Sequence, residues 1–507
     1  MVLFVKLFEY QFAMHQKIKK TLIFAFICIS TSSLFGQQMA KTLTLDEVLE
    51  MAKDYSPSAI LAKHQFRAAY WEHRTYRAEL LPSLSLSGTL PNFRRAITQE
   101  YVDDSYRYVE VNTNTLSMGL TLNQNIGLTG GRIFALSSLE RVDLFGDANS
   151  SSYMSEPVIV GFEQPIFGFN EYKWKRKIEP LKYLEAKRRY IEAMETIASD
   201  AVRYFFDLIL AQQNLKTAQL NYANTDTLYQ IAKGRYNIGT IAENELLQME
   251  LSFLNAGSDV NEAEIDLQLK KFKLKSFLGM NDQFDVELMV PESFPKATLK
   301  YDKVLTLAKE NNPRMLQYER TLLESDRNVA QAKANRGLNA NLFATYGLTQ
   351  QADDFSNVYI NPVDQQGVRV GLNVPILDWG KGKGSVRMAE SSREVVRTNI
   401  EQSVVDFEQD VFLKVMQFNL QEAQLQLAAK ADTIGQSRYN VTKERFLIGK
   451  IDVLELNIAQ TERDNAKTRY ISAMRNYWQF YFEMRKLTQF DFIGNSPIEV
   501  EFEKLID

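Results

Sequence analysis

Cysteine is nearly absent: Cys28 is the only one in 507 residues, and histidine occurs three times. A single cysteine excludes a disulfide framework, a CxxC redox pair and a Cys-rich metal site. Glycine (23) and proline (12) are also scarce, together about 7% of the chain against roughly 12% in average proteins. A loop-rich or disordered chain is thereby excluded, and long uninterrupted elements are expected. Neither charge dominates: 59 Lys+Arg face 63 Asp+Glu, a formal net charge of -4. A strongly basic nucleic-acid binder is excluded on that count. Long hydrophobic runs are few, and a mean hydropathy of -0.28 argues against a bundle of membrane helices. Length alone would suggest about three domains.

The one marked apolar stretch, Leu22 to Ile29, follows Lys17, Lys19 and Lys20 and precedes Ser30, Ser32, Ser33 and Gly36. This order of charged, apolar and small residues is that of a secretory signal peptide over residues 1–36, with Gln37 as the new N-terminus and Met14 as an alternative start. The run is about half of the roughly 20 residues that a spanning helix needs. Cleavage removes four bases (Lys6, Lys17, Lys19, Lys20) and one acid (Glu9), so a balance of -4 becomes -7. Cys28 leaves with the signal, and Ile27 before it is not the small residue of a lipoprotein signal.

No catalytic constellation assembles. His15 falls in the signal, while His64 and His73 stand nine apart on one expected helix and do not share a face at bonding distance. HExxH, GxSxG and Walker-type motifs are absent. The G-K-G-K-G run from Gly380 lacks phosphate-loop spacing and reads as a strand-to-helix corner, and Gly127, Gly130 and Gly131 read as a hairpin turn. No enzyme, cofactor or metal is expected.

An internal repeat organises the chain. R-Y-N-I-G-T-I-A-E-N-E-L from Arg235 matches R-F-L-I-G-K-I-D-V-L-E-L from Arg445, an offset of 210. The same offset lays V-G-F-E-Q-P-I-F from Val160 on V-G-L-N-V-P-I-L from Val370. V-L-E-M-A-K-D-Y-S-P from Val48 matches V-L-T-L-A-K-E-N-N-P from Val304 at an offset of 256, which places 46 extra residues in the first half between Pro57 and Val160. The expected division is a first repeat over 37–295, a second over 296–492 and a C-terminal tail over 493–507.

Within each repeat the period changes. Leu84, Leu86, Gly88 and Leu90 alternate with Ser83, Ser85, Ser87 and Thr89, and Leu116, Met118, Leu120 and Leu122 alternate with small polar residues. Ala340, Leu342, Ala344, Tyr346 and Leu348, then Val368, Val370, Leu372 and Val374, do the same in the second half. This two-residue period predicts strands at about 83–90, 115–123, 132–139 and 157–166, and at about 338–349 and 367–376. The alternating stretches have the length of tilted strands that cross a bilayer. Each VGxxxPI strand then leads into a very long helix, at about 173–237 and 384–446. Leu181 to Tyr236 contains no proline and a single late glycine, Gly234. Met194, Ala201, Leu208, Leu215 and Tyr222 recur every seven residues, as do Val404, Val411, Phe418 and Leu425. A strict seven-residue seam favours coiled-coil packing.

Strands that cross lipid must close into a barrel, since an open edge leaves backbone groups unsatisfied. Four strands per chain, or six if the insertion adds a hairpin, fall below the eight or so of the smallest membrane barrels. Copies must therefore share one barrel; three would give twelve strands or eighteen.

The signal, the two halves, the strand pair in each, the heptad helices and the R-[YF]-x-x-G turn before an acidic helix together resemble the TolC-type outer-membrane factor family, from about Leu43 to about Phe492. The resemblance implies an α+β membrane protein with two structural repeats per chain. It would be a homotrimer whose shared β-barrel sits in outer-membrane lipid, continuous with a long α-helical coiled-coil tunnel in the periplasm. It implies a passive exit duct of a tripartite efflux pump or type I secretion system. Its partners would be a periplasmic adaptor (membrane fusion) protein and, through it, an inner-membrane transporter of RND or ABC type, with no nucleic acid.

The resemblance also directs attention to the helix-tip turns at Gly239 and Gly449, near the periplasmic mouth in this family. Glu243, Glu245, Asp452 and Glu455 follow these turns and are candidates for an inward acidic ring, which would concentrate cations. Aligned without a gap, Glu455 and Glu245 take the place of the family's Asp; a short gap would put Asp452 there. Arg235, Tyr236, Arg445 and Lys450 are candidate gate contacts. The rival reading is a periplasmic coiled-coil structural or adaptor protein without a pore, for which alternating strands serve no purpose; an exported enzyme comes third.

Overall fold

The structure, a computed structural model, describes residues 41–506 apart from 103, 147–148, 281–284, 292–293 and 295. The expected signal peptide over 1–36 lies outside the described residues. In the first half the elements are β1 (Lys41–Leu43), α1 (Leu45–Tyr55), α2 (Pro57–Ala78), β2 (Ser83–Val102), β3 (Ser105–Ile126), β4 (Gly131–Leu144), β5 (Ser150–Ile166), α3 (Glu171–Asn237) and α4 (Glu243–Leu278). The second half runs β6 (Val286–Leu288), α5 (Tyr301–Asn311), α6 (Pro313–Arg336), β7 (Asn339–Ala352), β8 (Val363–Asn373), α7 (Lys381–Leu447) and α8 (Val453–Thr488), followed by β9 (Phe490–Asp491) and β10 (Ser496–Pro497). α3 and α7 each have 67 residues, and α4 and α8 each have 36. All four begin and end in pairs at the 210-residue offset, so the sequence repeat is a structural repeat.

Local chemistry sets the boundaries. Thr44 and Glu47 form a capping box at the start of α1, satisfying donors that the first turn leaves open. Pro57 and Pro313 open α2 and α6, where a missing N–H costs nothing. Asn312 caps α6 through Arg314 N (3.0 Å) and donates to Leu487 O (3.0 Å).

The chain divides into two compact units. The first holds the described parts of Met1–Pro57, Asp200–Phe294 and Ala428–Arg475. Its helices bury Val202, Phe205, Phe206 and Leu208, and β1 pairs in parallel with β6. Tyr222 departs from the expected heptad seam: it is exposed and stacks on Phe253, ring centroids 5.1 Å apart.

The second unit holds Ser58–Ser199, Pro295–Leu427 and the described part of Asn476–Asp507. Its centrepiece is a six-stranded antiparallel sheet in the order β2-β3-β4-β5-β7-β8. Leu84, Leu122, Ala135, Val160 and Tyr346 stand opposite one another on successive strands, and Val368 and Val370 continue that side on β8. The large residues of this face are exposed. The other face carries Ser83, Asn123, Phe134, Gly161, Thr345 and Gly367 along a matching rung, with an Arg132–Glu163 ion pair at 2.8 Å. Among the described residues β2 and β8 are the edges of this sheet and have one partner each.

Several strands run past their expected ends: β2 reaches Val102 rather than 90, β3 begins at Ser105 rather than 115, and β4 and β5 gain residues at 140–144 and 150–156. In β2 and β5 the register shifts at Thr89/Asn92, Leu136/Ser138 and Ser155/Val158 account for this, whereas β3 and β4 carry no extra residue. A bulge moves the apolar positions to the other parity, so the alternation stops while the strand continues.

The segment expected as a C-terminal tail is packed. Val500, Phe502, Leu505 and Ile506 cover Ala62, Phe66 and Tyr190, and Arg67 Nε donates to Leu505 O at 2.6 Å. Arg485 grips Glu195 through Nε (2.7 Å) and a second nitrogen (3.1 Å) and reaches Asp491 at 2.8 Å. Tyr481 donates to the same Asp491 at 2.6 Å. Burial and the neighbouring carboxylate push the Tyr481 phenol up, so it remains a donor at neutral pH.

Candidate functional site: the paired helix tips

Both helix–turn–helix tips lie in the first unit. α3 turns into α4 at Gly239 (φ +76°), and α7 into α8 at Gly449 (φ +74°). The two turns close alike: Thr240 N donates to Arg235 O (2.9 Å) and Gly239 N to Tyr236 O (2.8 Å), while Lys450 N donates to Arg445 O (3.0 Å) and Gly449 N to Phe446 O (2.9 Å). This pair of bonds around a left-handed glycine is the Schellman closure, which satisfies the last carbonyls of a helix. Leu228, Ala232 and Met249 from the first tip bury against Tyr439, Phe446, Val453 and Leu456 from the second.

The tips differ in their polar groups. Asp452 caps α8 by accepting from Glu455 N (2.9 Å), whereas its counterpart Ala242 makes no side-chain cap on α4. Arg235 donates to Leu447 O (3.2 Å), the last residue of α7, with its guanidinium 5.9 Å from the Phe446 ring. A cation there complements the negative helix end.

A groove of about 660 Å³ separates the tips, and Arg235, Glu245, Gly449, Lys450 and Asp452 line it together with apolar Ile238, Ile241 and Ile451. The structure thus brings five of the candidate residues around one groove. Glu243, Tyr236, Arg445, Glu455 and Gly239 do not line it and stand exposed at the turns. All four candidate acids are solvent-accessible.

A second polar cluster in the same unit escaped the sequence reading. Arg463, 9% exposed, donates to Asn221 (2.8 Å) and Asp464 (2.6 Å), and Asn221 donates to Asp464 (3.0 Å). The guanidinium lies 4.1 Å from the Tyr439 ring, and Lys443 donates to Asn224 at 2.8 Å. Burial raises the Tyr439 pKa, although Arg463 pulls the other way. The cluster ties α3 to α7 and α8. Its sequence signals, Asn221/Asn224 and Tyr439/Lys443 at helical spacing, are indistinguishable from solvated helix-face residues until the repeats are paired.

In the second unit, the glycine-rich run after β8 is a helix start. Asp378 accepts from Gly380 N (2.9 Å) and Gly382 N (2.8 Å), and these donors hold its carboxyl below the usual range.

The profile of the outer membrane efflux protein family matches residues 48–280 and 304–488, one segment in each repeat. No curated protein matches the sequence. Among solved structures, the Campylobacter jejuni CmeC outer membrane channel is similar with a TM-score of 0.65 at 17% identity, over 91% of this chain and 88% of that one. The outer membrane protein VceC of Vibrio cholerae gives 0.62 at 13% identity over 90% and 97%. The open-state MtrE outer membrane channel of Neisseria gonorrhoeae gives 0.58 at 15% over 88% of each chain. With its family's profile spanning both repeats and this fold recurring over nearly its whole length, the chain belongs to the outer membrane efflux protein family.

Proposed function

We propose that the chain is the passive exit duct of an efflux pump. Three copies share one eighteen-stranded barrel in the outer membrane, and the long helices continue it as a periplasmic tunnel that is gated at the helix tips. The observation that carries this reading is the sheet in the second unit: one face is apolar and exposed, and among the described residues each edge strand has one partner. Such a face suits lipid, and in lipid the edges must be closed by other strands. Six strands are too few to close alone, whereas three times six is an ordinary barrel size. A periplasmic rod without a pore would have no use for this face. Among the described residues no helix is long and apolar enough to cross a membrane.

At the tips, Glu243, Glu245, Asp452 and Glu455 from three copies would place twelve carboxylates around the mouth, favouring cations over anions. The groove between the tips, with its apolar floor and mixed charges, would receive the helical hairpin of a periplasmic adaptor, which links the duct to an inner-membrane transporter of RND or ABC type. The duct performs no chemistry. Detergent-purified protein should run as a trimer and, added to a planar bilayer, give cation-selective conductance. A monomer that yields no conductance would refute the reading.

A further inference from the structure

The hairpin of β2 and β3 outgrows its sheet. β3 pairs with β4 only from Thr113 onward, but its pairing with β2 continues through eight more rungs, Arg95↔Asn112 to Val102↔Ser105. At about 3.3 Å per residue the ribbon extends roughly 26 Å past the end of β4. It does so at the end of the sheet away from the helices, since α2 enters β2 at its opposite end. This ribbon lies within the 46-residue insertion of the first repeat.

One side of the ribbon continues the sheet's apolar face. Alternate residues of β3 share a side, so Leu122, Leu120 and Met118 lead on to Glu110, Tyr108 and Tyr106. The bulge at Thr89/Asn92 shifts β2 so that Arg95, Ile97 and Tyr101 join them. Ile97 and the three tyrosines are 62–78% exposed, and Tyr101 and Tyr106 meet edge to face, ring centroids 5.1 Å apart, beside the turn. Arg95 pairs with Glu110 on the same side, and Asp104 in the turn accepts from the Tyr101 hydroxyl at 3.5 Å, so no unpaired cation stands on this face. Gln99 stands across from Tyr108 on this side.

Flat rings set beside an amide and an ion pair do not suit lipid tails, which need continuous apolar surface, or a phosphate-rich partner, which needs unpaired cations. They suit a sugar, with an apolar C–H face for a ring and a rim of hydroxyls for the amide and the ion pair. A two-stranded ribbon wet on both faces is marginal by itself, so a partner would also order it. We propose that this face of the β2–β3 ribbon binds the polysaccharide of outer-leaflet lipopolysaccharide, the layer directly beyond the lipid that the sheet faces. The inference rests on the reading of the sheet as membrane-spanning, with its helix-distal end at the cell surface.

The test uses the full-length purified protein and fluorescent, delipidated polysaccharide prepared from lipopolysaccharide of the expressing bacterium. The native protein should bind saturably, and Tyr101→Ser/Tyr106→Ser/Tyr108→Ser should weaken binding about tenfold or more. Val109→Ser/Val111→Ser, on the other side of the ribbon, should bind as the native protein does. Should the triple variant lose native conductance, Tyr108→Ser alone should still weaken binding about threefold. No binding by the native protein, equal binding by the tyrosine variants, or binding confined to the acylated lipid A portion would each overturn the inference. So would ribbon-dependent self-association without polysaccharide binding. Labelling of Ser105→Cys on intact cells by an impermeant maleimide reports the topology separately. Absence of labelling overturns the membrane reading and, with it, this occupant; labelling without polysaccharide binding overturns the inference alone.

Discussion

The clamp around Arg485 gives the most direct quantitative prediction. Its guanidinium holds Glu195 with two bonds, 2.7 and 3.1 Å, and Asp491 with a third at 2.8 Å. The Glu195 side chain is 1% exposed and that of Arg485 15%, so neither has much water to fall back on. Arg485→Leu removes the cation and leaves two carboxylates in the cluster. Breaking a buried pair from one side costs about 3–5 kcal/mol, whereas replacing both partners with apolar residues is close to neutral. Arg485→Leu/Glu195→Leu should therefore recover most of the loss. Native-state hydrogen exchange over 484–494 reads the local opening directly, and about 3 kcal/mol corresponds to roughly 100-fold faster exchange. Exchange of Arg485→Leu within about threefold of the native protein, or of the double variant as fast as the single one, would refute this role for the clamp.

At the helix tips, Asp452→Ala and Glu455→Gln should both lower cation selectivity in bilayers. Only Asp452→Ala should also loosen the first turn of α8, by about 1 kcal/mol for its lost cap; unchanged selectivity in both would sink the acidic-mouth assignment. Gly449→Val forces a branched side chain to a φ of +74° and should destabilise the tip by about 1–2 kcal/mol, seen as faster proteolysis at that turn, whereas Gly449→Asn should be milder. His73 stacks on Tyr183 at 4.5 Å, interplanar 7°, and burial, with help from Arg77, lowers its pKa from 6.5. The folded state therefore prefers the neutral ring: its contribution is present above pH 6.5 and is lost as pH falls through the lower folded value. Melting at pH 7 and pH 5 should show an acid-induced loss that His73→Phe reduces; an identical loss in the variant would contradict this.

The repeat was legible because it is written in residues that cannot be exchanged freely. Gly239 and Gly449 must sit at positive φ, and the tip helices need a continuous stretch without helix breakers, so their ends fall close to where the sequence places them. Pro180 shows the limit, since it lies inside α3 near its start without ending it. The far parts of β2 and β5 were not legible, because bulges reverse the parity that marks a strand. The packed C-terminus was missed for a related reason: Val500, Phe502, Leu505 and Ile506 follow neither a helical nor a strand period and gain meaning only against Phe66 and Tyr190. The Arg463 cluster depends on Asn221, 242 positions away, and no local pattern encodes that pairing.

Equal helix lengths do not make equal tips, and the inequality bears on how the tips hold together. Asp452 is fixed at the start of α8, where the helix dipole favours its charge, while Glu243 and Glu245 both stand in the first turn of α4, which has no side-chain cap. Arg235 spans from the first tip to the last carbonyl of α7; its counterpart Arg445 stays in solvent and returns no such bond. Parting the turns themselves, short of the Arg463 cluster, therefore breaks one charged hydrogen bond, worth about 1 kcal/mol at this exposure, together with the apolar contacts of Met249, Phe446 and Leu456. Those contacts carry the larger share, since each fully buried side chain of this size contributes about 1.5–3 kcal/mol. A partner that fills the groove between the tips keeps this apolar surface dry while the hairpins part, and so lowers the largest cost of opening them.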